Sequence, residues 1–197
     1  MGLDKYKLKG SKVQRRLSLD NVPSRENYRE LLSYLKDKKN YEYYLWVKVL
    51  AGTGARISEF LQFTWDDLIS GNFMVRGKGN KYRNFYISKK LQLEISKYAA
   101  KFQKSGQFAK NKYGKPITAR GVSELLVKWN NDLSLPKGML HPHNFRHFFA
   151  KQFLKSSNND IVQLAEYLGH ENLETTRIYL LKSKEEQMND FNKFVNW

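Results

Sequence analysis

A chain of 197 residues is long enough for one domain with a substantial core, and 41% hydrophobic with 14% aromatic content fits a folded protein rather than a disordered one. Its 35 Lys+Arg against 19 Asp+Glu leave a formal net charge of +16, a surplus that attracts polyanions, of which nucleic acid and anionic membranes are the usual cases. No apolar run approaches the ~18 residues of a spanning helix and no signal-peptide or lipidation pattern opens the chain, while zero cysteines exclude disulfides and thiolate metal sites and suit the cytoplasm.

Residues 1–20 carry Lys5, Lys7, Lys9, Lys12, Arg15 and Arg16 with little apolar content, and are expected to form an extended basic arm. After Pro23 a helix is predicted, with Ser24 as N-cap and Tyr28, Leu31, Leu32 and Leu35 on its apolar face. A second helix, about 41–51, is apolar around much of its circumference (Tyr44, Leu45, Val47, Leu50) and should be central. Gly52 and Gly54 break it, and another helix starts near Arg56 with Ile57, Phe60 and Leu61. The period then changes: Phe73–Gly77 and Tyr82–Ile87 read as two short strands joined by a Lys78-Gly79-Asn80-Lys81 turn. A helix near 90–103 presents Leu91, Ile95, Tyr98, Ala99 and Phe102, and the polar residues 104–117 are expected to form an exposed loop. Thr118 caps a helix striped with Val122, Leu125, Leu126 and Trp129. Three more follow Pro136 and Gly138: about 143–155, about 160–168 closed by Gly169, and a short one bearing Tyr179. The tail 182–197 sets Met188, Phe191, Phe194 and Val195 at helical spacing. The expected fold is mainly α with a small antiparallel β-sheet.

The stretch from His143 to Tyr179 gathers unusual chemistry. His143 and Arg146 lie one helical turn apart and can face one phosphate, Arg146 gripping its oxygens and His143 hydrogen-bonding it or taking a proton. His170 follows Leu168-Gly169 as a further hydrogen-bond donor, and Tyr179 is a latent oxygen nucleophile. Arg56, after a glycine turn at a helix start, adds a guanidinium where backbone N–H groups already favour an anion. Glu59 reads as structural, orienting Arg56. A lysine in the hairpin turn, Lys78 or Lys81, brings a flexible cation; nothing local separates the two. His141 and His147 flank the His-x-x-Arg pair, yet without cysteine or a suitably spaced fourth ligand the cluster is not read as a zinc site. Each residue alone has a plainer reading, as a surface cation, a helix-end histidine or a core tyrosine. Together they suit attack on a phosphodiester.

TGARISE (53–59), GKGNKYR (77–83), PHNFRH (142–147), LGH (168–170) and TTRIY (175–179) closely resemble, in order and in gaps, the motif series of the tyrosine recombinases, the phage-integrase and Xer-like family. The resemblance covers roughly residues 20–181 and implies the catalytic-domain fold of that family, followed by a helical tail over 182–197. It implies site-specific DNA cleavage and rejoining through a covalent 3′-phosphotyrosine, with no cofactor and no metal. Tyr179 would be the nucleophile, Lys78 the acid that protonates the leaving 5′ oxygen, His143 a general acid/base, and Arg56, Arg146 and His170 the groups stabilising the phosphorane. The partner would be double-stranded DNA, bound by a monomer that assembles into a tetramer on paired sites, with the tail passed to a neighbouring subunit. Larger family members carry an N-terminal core-binding domain, which is expected to be absent here. Two alternatives are a type IB topoisomerase-like relaxing enzyme, which the His-x-x-Arg pair fits less well, and a non-catalytic DNA-binding accessory protein, against which stands the presence of all six residues.

Overall fold

The computed structural model describes residues 21–180 together with 188, 191–193 and 195, and of Lys78 only the backbone. The basic arm 1–20 and most of the tail expected over 182–197 therefore lie outside the described residues. Among the latter, no helix is long and apolar enough to cross a membrane.

Helix α1 (Arg25–Asp37) begins where expected: the Ser24 hydroxyl accepts from the N–H groups of Glu26 and Asn27, and the Ser24 N–H in turn donates to Asn27 Oδ1. It buries Leu31 and Leu35 against α2 (Tyr41–Thr53), whose Leu45, Trp46, Val47, Val49 and Leu50 are all nearly inaccessible. A helix with apolar side chains around most of its circumference belongs in the middle, and α2 lies there. Short helices α3 (Ile57–Phe60) and α4 (Trp65–Ser70) lead into strands β1 (Asn72–Arg76) and β2 (Tyr82–Tyr86). These pair antiparallel, Asn72 opposite Tyr86 and Arg76 opposite Tyr82, and bury Phe73, Val75, Arg83 and Phe85. The turn between them is a single 3₁₀ turn, Lys78–Asn80, closed by Gly77 N–H donating to the Lys81 carbonyl at 2.7 Å. Helices α5 (Lys89–Phe102), α6 (Ala119–Asp132), α7 (Pro142–Ser156), α8 (Ile161–Leu168) and α9 (Glu174–Arg177) follow, and a 3₁₀ turn, Ile178–Leu180, carries Tyr179. The helical architecture with its small antiparallel sheet is as the sequence predicts.

Two expectations fail. Gly52, expected to break α2, lies inside it, and the helix runs on to Thr53 before Gly54 ends it. Residues 104–117 are not simply an exposed loop: Phe108 and Ala109 are completely buried. Phe108 packs edge-on against Trp65 (4.8 Å between centroids) and Phe60 (5.9 Å), and backbone hydrogen bonds join Gly106 to Trp65 and Phe108 to Phe63. The cause is α4, a helix too short to show a periodic stripe, which offers Trp65 as a platform that two apolar residues in a polar segment then cover.

The core falls into two clusters. The larger is built on α1, α2, the sheet, α5 and α6; the smaller joins Ala150 and Leu154 of α7, Leu164 and Leu168 of α8, and Tyr179. Helix α7 contributes to both, so its first two turns lie at their junction.

Candidate active site

Two arginines are buried at that junction, Arg146 at 2% and Arg83 at 7% exposure. A buried guanidinium needs compensation, and both find it at the same place: the C-termini of α2 and α8, where helix carbonyls lack intrahelical partners. Arg146 donates through Nη1 to Gly54 O (2.9 Å) and through Nη2 to Leu168 O (2.7 Å). Arg83 donates through Nε to Tyr167 O (2.9 Å), through Nη2 to the same oxygen, and more weakly to Thr53 O (3.4 Å). Two helix ends thus make an anionic cradle for two cations. The glycines that stop those helices are required by it. Gly54 (φ +58°) and Gly169 (φ +62°) are left-handed C-caps; a Cβ at Gly54 would lie 2.6 Å from the Phe149 ring, and one at Gly169 would lie 2.9 Å from Arg83 Cδ. Burial still lowers both arginine pKa values to about 10, and Arg56 adds to the effect on each, yet both remain cations at neutral pH.

Glu59 ties the other end of this network. Its carboxylate, 1% exposed, accepts from the Arg56 backbone N–H (2.7 Å), from Arg56 Nη1 (2.9 Å) and from Arg83 Nη1 (2.6 Å). The structural role assigned to Glu59 from sequence is its geometry here. The helix-start N–H expected to greet an anion at Arg56 is instead taken by Glu59, because a buried carboxylate must use every donor in reach. Arg56 keeps a partly exposed guanidinium, near enough to lower the pKa values of His143, Arg146, His170 and Tyr179. The β-hairpin meets this network at its base: Gly77 lies against Glu59, and Gln62 Nε2 donates to Arg76 O at 3.0 Å. Lys78 follows Gly77 directly, so its backbone is one residue from the Glu59 contact. Lys81, the alternative acid, is engaged elsewhere, its Nζ 2.5 Å from Glu171 Oε1.

The histidines divide by environment. His141 caps α7, its Nδ1 accepting from the His143 N–H at 3.3 Å. His143 is exposed one turn before Arg146, with its pKa lowered by partial burial and by Arg146. His170 accepts at Nε2 from Arg146 Nη2 (2.8 Å) and contacts Thr176 Oγ1 through Nδ1 (2.8 Å). An arginine only donates, so Nε2 is the bare nitrogen and Nδ1 carries the hydrogen. Burial first, then Arg146, Arg56 and Arg83, push the His170 pKa down to about 4.

Tyr179 is 6% exposed. Burial raises its pKa, while Arg146 beside its oxygen, and Arg56 further off, pull the other way. The sequence reading put its proton within reach of His143; in the structure the hydroxyl is hydrogen-bonded to His147 Nδ1 at 3.0 Å. One turn separates the two histidines, and it is the position facing the smaller core cluster that meets the tyrosine. Five of the six candidates, Arg56, His143, Arg146, His170 and Tyr179, therefore converge beside α7. Arg83 was given no role from sequence, and His147 was noted only as a neighbour of the His-x-x-Arg pair. For Arg83 a signal existed: in β2 it shares the inward register with Phe85, and a cation on a buried strand face demands a partner.

Comparison with known proteins agrees with this fold. A profile of the Phage integrase family matches residues 22–186. The tyrosine recombinase XerC of Pediococcus pentosaceus is 35% identical over 159 residues, covering 75% of this chain and 52% of the relative. Among solved structures, the XerH site-specific recombinase bound to palindromic difH substrate superposes with a TM-score of 0.71 at 22% identity, over 89% of this chain and 53% of XerH. The catalytic domain of bacteriophage HP1 integrase gives a TM-score of 0.59 at 25% identity, over 88% of this chain and 96% of that domain. The chain spans about half the length of the curated relatives it matches. With the five motifs in order, the helical fold with its hairpin and the match over residues 22–186, the chain belongs to the phage integrase family.

Proposed function

We propose that residues 21–181 form a tyrosine recombinase catalytic domain that cleaves and rejoins double-stranded DNA at specific sites through a covalent 3′-phosphotyrosine. The observation that carries this reading is the placement of the Tyr179 hydroxyl beside the Arg146 guanidinium, itself bonded to His170. Three of the five N–H donors of Arg146 are committed to Gly54, Leu168 and His170, which fixes the plane of the guanidinium before any substrate arrives. A phosphate bound there would face Arg56, Arg146, His143 and His170, and the tyrosine oxygen would attack in a field that favours the charge of a pentacoordinate phosphorus. Lys78 would protonate the departing 5′ oxygen; Lys81 suits that role less well because it is paired with Glu171. The bond energy stays in the phosphotyrosine, so a 5′ hydroxyl of a second strand can reverse the step without a cofactor. The names of the relatives, tyrosine recombinase XerC and a XerH recombinase bound to its difH substrate, support DNA as the partner. The assembly proposed is a monomer in the free state and a tetramer on paired sites, with the tail 182–197 passed between neighbours.

The test uses a library of nicked suicide duplexes with randomised centres, so that no target need be known beforehand. Wild type is expected to trap a subset as SDS-resistant protein–DNA adducts, and Tyr179→Phe to trap none while still binding. An adduct that persists in Tyr179→Phe assigns the attack to another tyrosine, with Tyr167 the first to examine, and refutes the role given to Tyr179.

A further inference from the structure

The proposed chemistry leaves one proton without a destination. When Tyr179 Oη bonds phosphorus its hydrogen must leave, and the residue is almost closed to water. Arg146 lies beside that oxygen but carries only donors. The partner with a lone pair in contact is His147, 5% exposed, its Nδ1 at 3.0 Å and its ring centroid 5.3 Å from that of the tyrosine. Building on the reading of Tyr179 as nucleophile, we infer that His147 Nδ1 is the base that receives the phenolic proton.

The step balances. A lone pair of Tyr179 Oη forms the O–P bond, the P–O5′ bond breaks with its pair on the 5′ oxygen, Lys78 protonates that oxygen, and the phenolic proton passes to Nδ1 to leave an imidazolium. Rejoining runs the same transfers backwards. The local hydrogen bonds support this direction. With the Arg146 donor beside a lone pair of the oxygen, the hydroxyl hydrogen is left for Nδ1, and the His147 hydrogen then sits on Nε2. This is the opposite tautomer to His170, where Arg146 itself donates to Nε2. The charges around His147 would also keep Tyr179 quiet without substrate. Burial, His143, Arg146 and Lys151 push the His147 pKa down to about 4, so it holds no spare proton and accepts none readily. A phosphodiester entering among Arg56, Arg146 and His143 would cancel part of that field and raise the basicity of Nδ1 when the substrate is in place. His143, edge-on to His147 at 4.3 Å and exposed, would then serve the phosphate rather than the tyrosine.

The chain has four histidines, which makes the tautomers directly measurable. In histidine-¹⁵N-labelled wild-type protein without DNA, long-range ¹H–¹⁵N spectra at neutral pH should show His147 protonated at Nε2 and bare at Nδ1, and His170 the reverse. Tyr179→Phe should move the Nδ1 resonance of His147 and leave that of His170 in place. A proton on His147 Nδ1 would overturn the inference, because the histidine would then be a donor to the tyrosine. The second readout uses the suicide duplexes that wild type selects. His147→Asn should retain duplex binding but form adduct more slowly by roughly 10²- to 10⁴-fold, and a 5′-bridging sulfur, which relieves only the leaving group, should not restore it. Adduct formation within about threefold of wild type would refute the role of His147 as base. If Tyr179→Phe itself still forms adduct, it is the reading of Tyr179 that fails, while the wild-type spectrum still decides whether His147 accepts from it.

Discussion

Replacing Glu59 by alanine isolates the contact on which the site is built. The substitution removes a carboxylate that is 1% exposed and accepts three hydrogen bonds, at 2.6, 2.7 and 2.9 Å, from two arginines and a backbone N–H. Arg83 stays behind at 7% exposure with only carbonyl partners, Tyr167 O and Thr53 O, and no formal countercharge in contact. Stranding one member of a buried ion pair costs about 3–5 kcal/mol. The carbonyls offset some of this, and the orphaned Arg56 N–H adds about 1–3 kcal/mol if water does not reach it. A net loss of about 4 kcal/mol is expected. In urea, with an m-value near 2 kcal/mol per molar, the unfolding midpoint should fall by about 2 M at unchanged slope. The double variant Glu59→Ala/Arg83→Met removes the stranded charge together with its partner. It should be more stable than the sum of the single losses implies, by at least about 1.5 kcal/mol. A single loss below about 1 kcal/mol, or strict additivity, would refute the view that a buried charge pair joins the hairpin to α3.

Three further outcomes follow from the same geometry. Gly169→Ala places a Cβ at φ +62° and 2.9 Å from Arg83 Cδ, whereas Gly138→Ala, at φ +78° with open space around it, bears only the backbone cost of about 1–2 kcal/mol; the urea midpoint should fall further for Gly169→Ala, and equal losses would mean Arg83 moves aside freely. His147 and His170 fold with pKa values near 4 against an unfolded value of about 6.5, so the unfolded chain binds more protons between those limits. Their contribution to stability is full above about pH 6.5 and is lost as pH falls towards 4, by at most about 3 kcal/mol for His147, and a flat urea midpoint from pH 7 to 4.5 would contradict it. Lys78→Ala should cut adduct formation severely on ordinary suicide duplexes and recover on duplexes with a 5′-bridging sulfur; equal damage on both would move Lys78 to phosphate binding and leave Lys81 as the acid to test.

The sequence by itself marked most of the elements and suggested the chemistry proposed here for the site. Capping residues and apolar spacing marked α1 and α6, the turn at Pro136 and Gly138 preceded the helix expected at about 143–155, and alternation marked the hairpin; Gly54 and Gly169 closed α2 and α8 as expected, although Gly52, also expected to break α2, lies inside it. These are signals between neighbours in the chain, and local sterics and hydrogen bonding decide them. Even the candidate set Arg56, His143, Arg146, His170 and Tyr179 could be proposed from its spacing, which resembles a family pattern, and the fold brings these residues together. What only the tertiary structure decided is which groups touch. Arg83 finds Glu59 across 24 residues and Tyr167 across 84, and His147 rather than His143 meets Tyr179 across 32. Helical spacing puts both histidines within one turn of each other and cannot tell which faces the tyrosine. That depends on how α7 rolls between its two core clusters and on where the turn after α9 lands, which the packing of the whole domain sets. The burial of Phe108 has the same origin, because a polar segment covers Trp65 only once α4 has placed that ring beside it.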